Sequence, residues 1–215
     1  MLEALAAICR TLACDTKLLI LYHLAREGEL PAAEIARRAF ITPQLASIHL
    51  RQLTAMHLLA RRRSAARVYY RLAADDAASG LPGILNSLRR ALDHATRPDL
   101  GGHEPPIRHL APATARKVQA NVARALDAIF DASSAFANVR RLQILGLLRR
   151  KGRCDLSTVV GELRMSPPAC LRHMDKLRRR GYVRHEGSGA WSLLMKGHST
   201  FHSELLGLIV PHVVG

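Results

Sequence analysis

Thr42-Pro43-Gln44-Leu45-Ala46-Ser47-Ile48-His49-Leu50-Arg51-Gln52-Leu53 decides the fold, because its pattern returns as Ser166-Pro167-Pro168-Ala169-Cys170-Leu171-Arg172-His173-Met174-Asp175-Lys176-Leu177. Adding 124 to a residue number carries the first stretch onto the second. The register holds without a gap from Ala13 to Ser64: Leu18 falls on Leu142, Ile20 on Ile144, Gly28 on Gly152, Pro43 on Pro167 and His49 on His173. Correspondence over about fifty residues is an internal duplication, and it fixes the architecture before any single element is read. In each stretch a hydroxyl residue precedes a proline, the pattern of an N-cap followed by a first helical position that needs no N–H. Ala46, Leu50 and Leu53 then recur at i, i+4 and i+7, and so do Cys170, Met174 and Leu177, giving each helix one apolar face.

Outward from these helices the elements repeat in order. Residues 2–12 read as a short apolar helix. Thr16 to Arg26 is amphipathic and stops at Gly28. Pro31 opens a small-residue helix through Arg38. Arg61 to Arg67 separates two short extended pieces, the second being the β-rich Val68-Tyr69-Tyr70-Arg71-Leu72, so a hairpin is expected. A helix from about Leu81 to Ala95 closes the first copy. Thr96 to Pro112 carries Pro98, Gly101, Gly102, Pro105, Pro106 and Pro112 without periodicity and reads as a linker. The second copy runs from a helix at Ala113 to about Ser133 through to a last helix at His198 to Val213. Trp191-Ser192-Leu193 takes the place of Tyr70-Arg71-Leu72 in a hairpin three residues shorter. The expected fold is mainly α with small β-hairpin wings: two tandem winged helix-turn-helix domains, 1–95 and 113–215, joined by 96–112.

The composition fits that outline. A chain of 215 residues can hold two domains, each able to bury a core. The formal charge is +15, divided as +5 over 1–95, 0 over 96–112 and +10 over 113–215. Such a balance in a well-patterned chain points to a polyanionic partner, nucleic acid before membrane. Met1-Leu2-Glu3 lacks the basic start of a secretory signal, no apolar run is long enough to span a bilayer, and the four cysteines suit a reduced compartment. A soluble, cytoplasmic protein without a membrane partner is expected.

In a helix-turn-helix the second helix enters the major groove. Opposite the apolar face, the first copy offers Thr42, Gln44, Ser47, Ile48 and Arg51. Gln can pair with adenine, Arg with guanine or phosphate, and Ile can meet a thymine methyl. The wing arginines Arg61, Arg62, Arg63 and Arg67 would lie along backbone or minor groove. In the second copy the corresponding candidates are Ser166, Arg172, Lys176 and Arg179. There Pro168, Leu171 and Asp175 dilute the face, and the wing His185-Glu186-Gly187-Ser188-Gly189 is nearly neutral. The first copy is therefore the expected reader of double-stranded DNA. The second would add backbone affinity or serve dimerisation. His49 and His173, beside the apolar faces, read as packing residues.

Leu12-Ala13-Cys14-Asp15-Thr16-Lys17-Leu18-Leu19-Ile20-Leu21, Gly28-Glu29-Leu30, Ser47 to Leu53 and Val68 to Leu72 together resemble an ArsR-type winged-helix repressor over nearly all of residues 5–95. The likeness is fainter, but in register, over 113–213. It implies a DNA-binding transcriptional regulator whose helices outside the wing build a two-fold dimer. A duplicated chain could supply both halves itself, as an intrachain pseudo-dimer, or form a homodimer. The Cys-x-Cys of metal-sensing relatives is replaced by Pro31 and Ala33, and by Asp155 and Ser157 in the second copy. His198 and His202 share a helix face and could hold two corners of a zinc site, but two ligands are not a site, so no metal is expected. Cys9 and Cys14 could form a redox pair, with apolar packing the preferred reading. No phosphate loop, activated nucleophile or carboxylate pair is present. The expectation is a repressor rather than an enzyme, without a cofactor and with no effector legible. The alternative is a tandem winged-helix protein-interaction scaffold in chromosome organisation or transcription.

Overall fold

Glycine at 28 and 152 shows how literally the duplication is repeated in three dimensions. Both adopt positive φ (80° and 73°), and both donate their N–H to a leucine carbonyl of the preceding helix, Leu24 at 3.0 Å and Leu148 at 2.8 Å. A side chain would be strained at this φ, so glycine ends the helix at the same point in each copy. The computed structural model describes residues 2–74, 83–95, 120–194, 201 and 203–207. They divide into two compact units, Thr11–Phe130 and Met1–Arg10 with Asp131–Gly215.

The first copy comprises α2 (Asp15–Glu27), β1 (Glu29–Pro31), α3 (Ala32–Arg38), α4 (Pro43–Ala55), β2 (Leu59–Ser64), β3 (Arg67–Leu72) and α5 (Ile84–Ala95), following α1 (Leu2–Leu12). The second comprises α6 (Ala120–Phe136), α7 (Val139–Lys151), β4 (Arg153–Asp155), α8 (Leu156–Leu163), α9 (Pro167–Arg179), β5 (Val183–His185) and β6 (Ala190–Leu193). Residues 203–207 are helical as well. Each copy is a helix-turn-helix followed by a β-hairpin wing, so the fold is mainly α with small wings.

The sheets carry the register between copies. Each has three antiparallel strands, β1-β3-β2 and β4-β6-β5. Leu30 faces Tyr70 and Cys154 faces Trp191, so Trp191 does occupy the place of Tyr70. Leu59 faces Leu72 and Val183 faces Leu193 in the same way. Two expectations are corrected. The third strand of each sheet, β1 or β4, is three residues long and too short for an alternation to show; Pro31 ends β1 and caps α3 rather than opening the helix itself. The arginines Arg61 to Arg63 are not a loop between strands. Strand β2 continues through Ser64, and the turn is only Ala65-Ala66, with Ala65 at φ 50°.

The cores follow the predicted faces. Ala46, Leu50 and Leu53 are buried, as are Cys170, Met174 and Leu177, and so are Leu18, Ile20, Leu21 and Leu24 in the first copy and Leu142, Ile144, Leu145 and Leu148 in the second. Met1–Arg10, with Leu5, Ala6 and Cys9 fully buried, group with Asp131–Gly215, while residues 120–130 group with the first copy. An apolar helix buries its stripe wherever a complementary surface exists, and chain proximity does not choose that surface. Helix α6 runs three residues past Ser133, to Phe136. The linker 96–112, the starts expected at Leu81 and Ala113, and most of the His198–Val213 helix lie outside the described residues. No helix among the described residues is long and apolar enough to cross a membrane.

Candidate nucleic-acid interface

Helix α4 is held at its start by the residue that the sequence assigns to that task. Thr42 is extended (φ −70°, ψ 153°), its Oγ1 accepts the Leu45 N–H at 3.3 Å, and Pro43 follows as first helical residue. Such a cap contributes about 1 kcal/mol and fixes where the helix begins. The turn before it places Phe40 at φ 55°, and Ile41 N–H reaches back to the Ala36 carbonyl at 3.0 Å. The second copy repeats this with Arg164 at φ 47° and Met165 N–H on the Val160 carbonyl at 3.1 Å. There Ser166 makes no side-chain cap bond.

With 46, 50 and 53 buried, the remaining face of α4 is open. Thr42, Gln44, Ser47, Ile48 and Arg51 are all exposed on a helix that the core anchors from behind. Gln52 is exposed too, and so is Leu45, at 38 % against 43 % for Ile48. Leu45 is not among the expected groove residues. The signal that places it outside is its position one residue off the 46/50/53 face. His49 is half-buried, with Nδ1 enclosed, and burial pushes its imidazole below the usual range. His173 is similar, lowered by burial and then by Arg141. Both histidines sit at the edge of the packed face.

The wing separates its arginines into two kinds. Arg61, Arg63 and Arg67 are exposed and have no carboxylate partner among the described residues, and the same holds for Arg51 on α4. Arg62 is tied down: its Nη2 donates to Glu29 Oε2 at 2.6 Å and its Nε to Oε1 at 2.9 Å. Its guanidinium also lies 4.9 Å from the Tyr69 ring centroid. Glu29 is on β1 and Arg62 on β2, so the pair straps the sheet across the intervening β3. A guanidinium in a bidentate carboxylate bond is already neutralised, which makes Arg62 a brace of the wing before it is a phosphate contact. Arg37 and Arg38 are likewise engaged by Glu34, whose carboxyl they hold down to about 2. Pro31 and Ala33 line an open cleft of about 540 Å³ together with Arg37 and Arg67.

The second copy keeps the scaffold and changes the face. Ser166, Arg172 and Arg179 are exposed, while Lys176 is half-buried. Arg179 bends back toward the Asp175 carbonyl at 3.4 Å, and Arg178 pairs with the Asp175 carboxylate at 3.3 Å. Leu171 is 42 % exposed beside a cavity of about 360 Å³ that reaches His185 and Trp191. The wing is spent on itself: Ser192 Oγ donates to Glu186 at 2.8 Å, Arg153 and Arg184 flank the same carboxylate, and the His185 ring packs against Trp191 at a tilt of 57° with ring centroids 4.7 Å apart. Asp155 is an N-cap, accepting Thr158 N–H at 2.7 Å. All four cysteines are free thiols, and burial pushes Cys9 up to about 12. The described residues contain no group of three or more His, Cys, Asp or Glu placed to hold a metal ion, and His198 and His202 lie outside them.

Residues 15–67 match the family model for the MarR family, and residues 138–184 match the model for a winged helix-turn-helix DNA-binding domain. The two matches begin 123 residues apart, one residue from the internal register of 124. Neither a curated protein nor a solved structure matches the chain. The fold, the repeat and the two matches agree that the chain carries two winged helix-turn-helix DNA-binding domains in tandem, the equipment of a transcriptional regulator.

Proposed function

We propose that the chain is a sequence-specific, double-stranded DNA-binding repressor that acts in the cytoplasm by occluding a promoter, with the first copy as its base reader. The observation that carries this is the exposed face of α4. Gln44, Ser47 and Arg51 are exposed on a capped, core-anchored helix in the same unit as the wing arginines Arg61, Arg63 and Arg67, which have no carboxylate partner among the described residues. Gln44 near the helix start can bond adenine with one donor and one acceptor, Arg51 two turns later can bond guanine with two donors, and the wing arginines would neutralise phosphates. Most of the residues behind the ArsR-type resemblance fall inside the stretch matched by the MarR family model, so the function rests on the winged helix-turn-helix common to both.

The second copy, on this reading, adds phosphate contacts through Arg172 and Arg179. A second reading, that this copy docks a protein, is favoured by the exposed Leu171 and by Asp175 on what would be the groove face. Selection of duplexes from a random pool, followed by anisotropy on the favoured sequence, tests the proposal. Gln44→Ala and Arg51→Ala should each cost about 1–3 kcal/mol on that sequence and little on unrelated duplex. Arg172→Ala and Asp175→Ala should leave the preference intact. Loss of preference in the second-copy variants alone would invert the assignment.

A further inference from the structure

The major groove offers proteins one apolar group, the C5 methyl of a pyrimidine. Helix α4 offers water two large apolar side chains, Leu45 and Ile48, 38 % and 43 % exposed. Neither is needed by the core, which Ala46, Leu50 and Leu53 already fill from this helix. Three residues apart, they are neighbours on the helix surface, with Cβ atoms about 5–6 Å from each other. That spacing bridges adjacent base pairs, whose step is about 3.4 Å along a strand. Gln44 and Arg51 border them, and both leucine and isoleucine stand in the first two turns, the part of a recognition helix that reaches base edges.

We infer that Leu45 and Ile48 are specificity-determining residues that select duplex DNA by the C5 methyl groups of neighbouring pyrimidines. The inference rests on the proposed reading of α4 as the base reader and names the chemistry it reads. Charge chooses DNA over a protein as the occupant of this apolar pair: it is bordered by Arg51 on the helix, and the wing of the same unit presents Arg61, Arg63 and Arg67 without carboxylate partners among the described residues. The second copy has Ala169 and Arg172 at the matching positions, so the device belongs to the first copy. Thymine carries the methyl by default, and 5-methylcytosine presents the same group.

The test begins with the duplex that the full-length protein selects from a random pool. Each thymine in it is replaced singly by uracil, which removes only the methyl, and each cytosine singly by 5-methylcytosine, which adds it. Affinities are read by anisotropy for the unmodified protein and for Leu45→Ser, Ile48→Ser and the double variant. Both positions are exposed, and circular dichroism checks that the variants fold. Uracil at one or two adjacent positions should weaken binding about fourfold per methyl, the effect of burying one such group, and the double variant should be indifferent to it. If uracil is neutral but 5-methylcytosine tightens binding, and the double variant loses that gain, methylated cytosine is the source and the inference stands. It is overturned if the unmodified protein ignores both replacements, or if the double variant keeps the full sensitivity. A pool that yields no preferred sequence overturns the base-reading proposal as well, whereas a preferred sequence indifferent to methyls overturns this inference alone.

Discussion

Removing the charge of Arg61 and Arg63 should flatten the salt dependence of DNA binding, while removing that of Arg62 should not. The slope of log K against log salt is about −0.9 per phosphate neutralised. The first copy presents Arg51, Arg61, Arg63 and Arg67 exposed and free of carboxylates among the described residues, and the second presents Arg172 and Arg179 exposed on its helix. Six such contacts give a slope of about −5, or roughly a thousandfold loss of affinity between 50 and 200 mM salt. The Arg61→Ala/Arg63→Ala double variant should reduce the slope by about 2. Arg62→Ala should change it by much less than one contact, because Glu29 already neutralises that guanidinium at 2.6 Å. Its effect should appear instead as a loosened wing, visible as faster amide exchange of β1 and β2. Anisotropy titrations on one duplex over a salt series measure all three slopes. A parent slope shallower than about −2 would refute the polyelectrolyte reasoning. Equal losses from Arg61, Arg62 and Arg63 would show that the Glu29 pair opens on DNA and that the brace assignment is mistaken.

The turn after α4 and its counterpart after α9 offer a stability test. His57 (φ 55°) and Gly181 (φ 75°) occupy equivalent left-handed positions, and only the second copy uses glycine there. His57→Gly should therefore stabilise the first copy by up to about 1 kcal/mol and Gly181→Ala should destabilise the second by a similar amount, both read from denaturant midpoints; a destabilising His57→Gly would mean that the histidine ring holds the turn. Native protein should react with a thiol reagent first at the half-buried Cys14, because burial raises the thiols of Cys9, Cys154 and Cys170 and the thiolate is the reactive form. Denaturant should expose the remaining three, and early labelling of Cys9 would contradict its packing. In sedimentation, the free protein should run as a 23.7 kDa monomer acting as its own pseudo-dimer; a species of twice that mass persisting on dilution would replace this with a homodimer.

The buried half of each site was legible because burial is periodic. Leu50 and Met174 could be assigned from spacing alone, since a helix has one way to hide residues at i, i+4 and i+7. Thr42 was legible as a cap because its hydroxyl precedes a proline that can only begin a helix. What escaped the sequence depends on partners distant along the chain. Arg62 reads like its neighbours Arg61 and Arg63 until β1 brings Glu29 across the sheet, and nothing local marks it as the braced one. The grouping of Met1–Arg10 with Asp131–Gly215 was hidden for the same reason: an amphipathic stripe states that it will be covered, not by what. Leu45 lies on neither the 46/50/53 face nor the row of polar residues opposite it, so spacing alone assigns it to no face.

Net charge by itself ranks the two copies in the opposite order to the proposed assignment of the first copy as reader. Residues 113–215 carry +10 and residues 1–95 only +5, yet the weaker groove face belongs to the more basic half. Part of that charge is committed within the second copy. Lys151 pairs with Glu162 at 2.5 Å, Arg153 with Glu186, Arg178 with Asp175 at 3.3 Å, and Arg180 with Asp131. Arg141 is half-buried and donates to the carbonyls of Ser134 and Ala135. An arginine paired with a carboxylate, or half-buried as Arg141 is, releases no DNA counterion unless it is freed first, so what would count toward affinity is exposed charge without a carboxylate partner on the face proposed to meet DNA. By that measure the first copy leads, with Arg51, Arg61, Arg63 and Arg67 against Arg172 and Arg179. The two copies therefore share the residues that fold each domain and differ on the exposed face of the second helix, and on the proposed reading a single chain built this way would meet DNA with two unequal hands, favouring an asymmetric site over a palindrome.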